Sequence, residues 1–120
     1  MANFRFEDLE IWKESISLGN ELFYIAELAE NRKKYRFAEQ LNGAALSISN
    51  NIAEGAGAVS SKEFARFLSI ARKSLFECVN ILHVFEMRGI ITPEIRLSLY
   101  PRLIELSKKI YYFRKKILTT

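Results

Sequence analysis

Apolar positions recur every three or four residues through almost the whole chain, and strand-like alternation is scarce. That period is the mark of amphipathic helices, and it predicts four of them. The first runs from Phe6 or Glu7 to Glu30. Leu9, Trp12, Ile16, Gly19, Phe23 and Ala26 form its stripe, and Ile11, Leu18, Leu22, Ile25 and Ala29 widen it. Asn31-Arg32-Lys33-Lys34 is a polar connection. The second helix runs from Tyr35 to Glu54 on Phe37, Leu41, Ala44, Ile48 and Ile52. Gly43, Ala44, Ala45, Ser47 and Ser49 make it slim enough for a neighbouring helix to come close. Gln40, Ser47, Asn51 and Glu54 share another side and predict a polar seam that fixes register. Gly55 and Gly57 are expected to end this helix by taking positive φ without a Cβ penalty.

The third helix is predicted from Ser61 to Arg88, with Ser60 and Glu63 at capping-box spacing. Phe64, Leu68, Ala71, Leu75, Cys78, Leu82 and Phe85 alternate by four and three. Phe67, Ile70, Ile81, Val84 and Met87 lie off that stripe. A helix that is apolar on more than one side is buried on more than one side. Phe67, Ile70, Ile81 and Val84 are therefore the candidate surface for self-association. Gly89 is a natural C-cap. Thr92, Pro93 and Glu94 open a fourth helix that runs to Leu118. Pro101 inside it should bend the helix, or mark a short separate turn before it. Leu99, Leu103, Leu106, Ile110, Phe113 and Ile117 are its core stripe. The fold class is all-α, an antiparallel up-and-down four-helix bundle, with residues 1–120 as one domain.

Composition narrows the function more by exclusion than by assignment. Apolar residues make up 49% and mean hydropathy is near zero, as in a globular chain. No apolar run is long enough to span a membrane, and the N-terminus lacks the apolar segment of a signal peptide, so a cytoplasmic protein is expected. The single cysteine, Cys78, excludes an intrachain disulfide and reads as an inert core residue. His83 is the only histidine and Asp8 the only aspartate. No nucleophile–base pair and no metal-ligand spacing stand out, so no catalytic residue, metal or cofactor is expected and an enzyme is the least favoured reading.

Charge is the one strong asymmetry. Residues 1–60 hold 6 Lys/Arg against 9 Asp/Glu, a net of −3, and residues 61–120 hold 12 against 5, a net of +7. On the fourth helix Arg102, Lys109 and Lys116 repeat every seven residues, with Lys108 and Lys115 next to them and Tyr111 and Tyr112 nearby. These five cations are expected along one side of the helix. Phosphates are drawn to such rows, and adjacent aromatics can stack on bases, which makes RNA or DNA a candidate partner. A solvated, lysine-rich helix end is the plainer explanation of the same residues. The off-stripe apolar residues support a second reading, a protein–protein scaffold or adaptor with no nucleic-acid role.

A set of motifs spans nearly the whole chain: Phe6-Glu7-Asp8-Leu9 with Trp12; Gln40-Leu41, Ala44-Ala45, Ser47-Ile48 and Asn51-Ile52-Ala53-Glu54-Gly55; then Glu63, Phe67-Leu68, Ile70-Ala71-Arg72, Ser74-Leu75 and Glu77. In these the chain resembles the four-helix bundle protein family, also called the 23S rRNA intervening-sequence protein family. The resemblance implies an up-and-down bundle that assembles as a homopentameric ring, with no established enzymatic activity. It also implies kinship to a basic pentameric accessory protein of diversity-generating retroelements, thought to bind nucleic acid and a reverse transcriptase. Gln40, Asn51, Glu54, Gly55, Arg72 and Glu77 are the matched positions, with structural roles expected; Glu54 and Arg72 are candidates to pair across the turn between helices 2 and 3. Two departures stand out. Asn42 and Gly43 replace an Arg-Arg pair frequent in the family, which removes two cations, and Lys73 replaces a frequent glycine, which points to different local packing.

Overall fold

The computed structural model describes residues 3–119. Four long helices follow one another, α1 (Glu10–Asn31), α2 (Tyr35–Ala56), α3 (Ser61–Met87) and α4 (Pro93–Leu118), joined by short turns. They form an up-and-down four-helix bundle measuring 46 × 25 × 23 Å. α2 packs between α1 and α3, α3 packs on α4, and α4 closes back on α1. Among the described residues no helix is long and apolar enough to cross a membrane.

Each boundary has a local cause. Arg5–Asp8 form a separate 3-10 turn, and Leu9 then takes an extended conformation, so α1 begins at Glu10 rather than at Phe6 or Glu7. That turn sets the Phe6 ring edge-on to Trp12 at 5.0 Å. Lys33 takes a positive φ of 61° in the turn that lets α2 start at Tyr35. Ser60 caps α3 by accepting from the Glu63 amide at 3.1 Å, and Thr92 caps α4 by accepting from the Ile95 amide at 3.3 Å. Gly89, with φ of 71°, reverses the chain after α3. α4 runs through Pro101 as one helix, so no separate turn precedes it.

Gly55 corrects the expectation placed on it. α2 does not end there; Gly57 is the cap, with an ordinary φ of −86°. Gly55 is needed for contact instead. A Cβ there would meet Phe64 Cδ1 and Phe67 Cβ, each at 2.8 Å, so the start of α3 lies directly on the α2 backbone. Gly43, by contrast, faces open space, with nothing within 4 Å of where a Cβ would lie. Its small size serves no helix contact within the chain. Lys73 is exposed, so this departure from the family pattern meets no neighbouring helix.

The α3 stripe from Phe64 to Phe85 is buried throughout and forms the centre of a core shared by all four helices. On α1 the buried line is Ile11, Leu18, Leu22, Ile25, Ala26 and Ala29, and Ile16 of the expected stripe points outward. Of the candidate self-association residues, Ile81 belongs to the chain's own core, and Phe67, Ile70 and Val84 are partly covered. α3 is apolar on several sides because it is sandwiched between α2 and α4. Large apolar side chains stand exposed elsewhere, among them Ile16, Leu46, Phe76 and Ile104.

Candidate nucleic-acid interface

The five expected cations of α4 do not share one side. A helix turns about 100° per residue, so Lys108 and Lys115 sit roughly a quarter turn away from Lys109 and Lys116. The two rows meet different partners, although Lys108 borders both the cleft that holds Lys109, Lys116 and Glu10 and the groove toward α3.

The first row lies along α1. Lys109 Nζ donates to Glu14 at 2.6 Å and to Glu10 at 3.2 Å, and pairs with Glu105 of its own helix at 3.0 Å. Its ammonium is held well above the ordinary lysine range by hydrogen bonds to Glu14, Glu105 and Glu10, in that order of weight. Arg102 pairs with Glu21 and donates to Ser17 Oγ at 3.0 Å. Partners that climb α1 as they descend α4 are what an antiparallel pair requires. The sequence carries the matching signal: Glu10, Glu14 and Glu21 are spaced by four and seven, an acidic row on helix 1 to meet the basic one on helix 4. Lys116 continues the basic row beyond these carboxylates and is exposed.

The second row, Lys108 and Lys115, flanks exposed Tyr111 on the side of α4 that borders α3. Among the described residues, Lys108, Lys115 and Lys116 have no ion-pair partner. Arg72 of α3 joins this surface. Its Nε donates to the Ser107 carbonyl at 3.2 Å, and its guanidinium lies over the rings of Phe76 at 4.9 Å and Tyr111 at 5.4 Å. Tyr111 in turn meets Tyr112 edge-to-face at 5.2 Å. Arg72 therefore does not pair with Glu54. It leaves α3 on the flank that faces α4, whereas Glu54 is on the opposite side of α3, exposed near the end of α2.

The other motif residues gather at the α2–α3 contact. Asn51 Nδ2 donates to the Ser47 carbonyl at 2.8 Å and to Ser47 Oγ at 3.0 Å, and Ser47 Oγ meets Ser74 Oγ at 2.8 Å. This seam links the two helices through Ser47, Asn51 and Ser74, while Gln40 and Glu77 stand exposed at a shallow cleft beside it. His83 of α3 shares a hydrogen bond with the Tyr100 hydroxyl of α4. Arg96 lies over the Tyr100 ring at 4.9 Å and pairs with Glu86 at 2.8 Å, the first cause of its raised pKa. Cys78 is buried, and burial, reinforced by Glu77, pushes its thiol up to about 12. No group of three or more His, Cys, Asp or Glu side chains converges to hold a metal among the described residues.

Residues 7–112 match the model of the family described as 23S rRNA-intervening sequence protein. This chain belongs to that family. Among solved structures, one of a protein of unknown function from the S23 ribosomal protein family of Bacteroides thetaiotaomicron superposes with a TM-score of 0.81. The two are 24% identical, and the match covers 88% of this chain and 98% of that one, a likeness of fold. No curated protein matches the chain. The residues that sequence reasoning assigned only a structural part, or did not name at all, are Arg72 and Phe76. Their signal was weak because it lies in the pairing of two helices rather than in either one.

Proposed function

We propose that this family member is a non-enzymatic homo-oligomer that binds nucleic acid as a polyanion through the C-terminal half of α4. One observation carries the reading. Lys108, Lys115 and Lys116 stand exposed and uncompensated, whereas Arg102 and Lys109 already have carboxylate partners. A lysine already neutralised inside the fold has little to gain from a phosphate, while a free one gains by releasing the counterions condensed on the nucleic acid.

Self-association is supported by a different flank. Ile16 of α1 and Leu46 of α2 are 45% and 50% exposed and border one groove with Phe23. Adjacent apolar side chains left in water favour a protein surface to cover them. Five copies is the number that the family resemblance leads us to expect.

The test is fluorescence anisotropy with a labelled DNA duplex and a structured RNA across a range of salt. Replacing Lys108, Lys115 and Lys116 by Gln should weaken binding and reduce the salt slope by up to about 0.9 per lysine on duplex. The Arg102→Gln, Lys109→Gln pair should leave that slope near wild type. Equal slopes in both variants would move the site off this part of α4. No binding by wild type at low salt would leave the protein–protein scaffold as the better reading.

A further inference from the structure

We propose that the groove between α3 and α4 and the adjoining surface of α4 form a base-stacking site for single-stranded nucleic acid, with Phe76 in the groove and Tyr111 beside it as platforms and Lys108 and Lys115 as phosphate contacts. This rests on the reading that α4 binds nucleic acid, and it names the form of nucleic acid and the residues that select it.

The two rings have no evident task in the fold. Phe76 is 55% exposed and Tyr111 is 45% exposed, so neither contributes much to the core. Yet both are held in place. The Arg72 guanidinium lies over each ring, and its Nε is anchored on the Ser107 carbonyl, which pins the arginine between the helices. A cation on one face of each ring, with so much of the ring still in water, leaves aromatic surface preorganised for another planar partner. Phe76 lines a groove of about 420 Å³ whose walls include Val79, Leu103 and Ile104, with Arg72 and Lys108 at its polar edge, and Tyr111 lies outside the groove, joined to it through Arg72.

Three features together point to nucleobases rather than to another occupant. The groove is apolar, as a base face requires. No carboxylate lines the groove itself. Lys108 and Lys115 lie three and four residues on either side of Tyr111, on the same face, and are free to take the phosphates that flank a stacked base. A base stacked in a duplex has no face to offer, so the site should prefer single strands, and it should tolerate sequence because every base presents a π-face.

The experiment compares a short labelled oligothymidylate with a duplex by anisotropy, using wild type, Phe76→Ala, Tyr111→Ala, Tyr111→Trp and the Lys108→Gln, Lys115→Gln pair. Each alanine variant should lose roughly fivefold or more in affinity for the single strand, the lower end of what one stacked base contributes, with little change in duplex binding. Tyr111→Trp should bind the single strand at least as well as wild type, which separates stacking from a folding defect. The lysine pair should lower the salt slope for both ligands. Alanine variants that bind single strands like wild type, while the lysine pair is weakened, would overturn the stacking site and leave the polyanion reading standing. Tyr111→Trp as weak as Tyr111→Ala would also overturn it. A wild-type protein that binds neither ligand at low salt would overturn both.

Discussion

Gly55 shows how one missing atom sets a helix contact. Because its absent Cβ is the space that Phe64 and Phe67 occupy, Gly55→Ala must push the start of α3 away from α2. Overpacking of this kind costs about 1–3 kcal/mol, which a urea melt followed by circular dichroism will read. Cys78 gives a pH signature. Its thiol is raised from 9.0 to about 12 by burial, so the folded chain keeps the proton that the unfolded chain releases. Any stability carried by this group is complete below pH 9.0 and is lost as pH rises toward about 12. Relative to wild type, Cys78→Ala should therefore show a flatter decline in that window, by at most ~1.4 kcal/mol per pH unit. The same burial predicts that a thiol reagent labels Cys78 only after unfolding. The core position of Cys78 was legible from its place on the α3 stripe. The reason for Gly55 was not, since a glycine near a helix end suggests a backbone reversal and only the packed neighbour reveals the contact.

At the scale of elements, caps could be read from sequence because capping is a local interaction. Ser60 and Thr92 each accept from the amide three residues on, and Ser60→Ala should cost about 1 kcal/mol of stability. The start of α1 was missed because the acidic Glu7 and Asp8 also suit a 3-10 turn, and the extended Leu9 that separates the two elements has no residue signature. The α1–α4 seam is a further case. Arg102→Gln with Lys109→Gln removes the cations that bridge these helices, so the urea midpoint should fall at low salt. The difference should shrink at high salt, because these pairs are solvent-exposed and screened. A midpoint difference independent of salt would mean that the seam is held by packing instead.

At the scale of the whole molecule, the imbalance between an acidic first half and a basic second half is partly consumed by folding. The antiparallel closure of α4 on α1 sets Glu10, Glu14 and Glu21 against Lys109 and Arg102. Part of what is left is a basic surface on the C-terminal half of α4 and its border with α3, and Arg32, Lys33, Lys34, Arg36 and Arg88 stand exposed around the turns after α1 and α3. The exposed apolar flank of α1 and α2 lies apart from it. Ile16→Glu with Leu46→Glu should shift the mass by light scattering toward the 13.9 kDa protomer without abolishing anisotropy changes at low salt. A wild-type mass already at the protomer value would refute the proposed self-association, and an oligomer of unchanged mass would place its surface elsewhere.

By itself the sequence determined four helices, most of their ends, the α3 core stripe and the family, because periodicity, caps and contiguous motifs are properties of one chain segment at a time. Which cations remain free, which apolar residues remain exposed and what Arg72 touches were decided only by the tertiary structure. Lys109 and Lys116 read alike along α4, yet one is ion-paired with carboxylates of α1 and, among the described residues, the other is not. Ile81 and Phe76 read alike as apolar residues of α3, yet one lies in the core and the other in water. Each difference depends on which helix lies across the contact, and that is set by the packing of four helices around a common core.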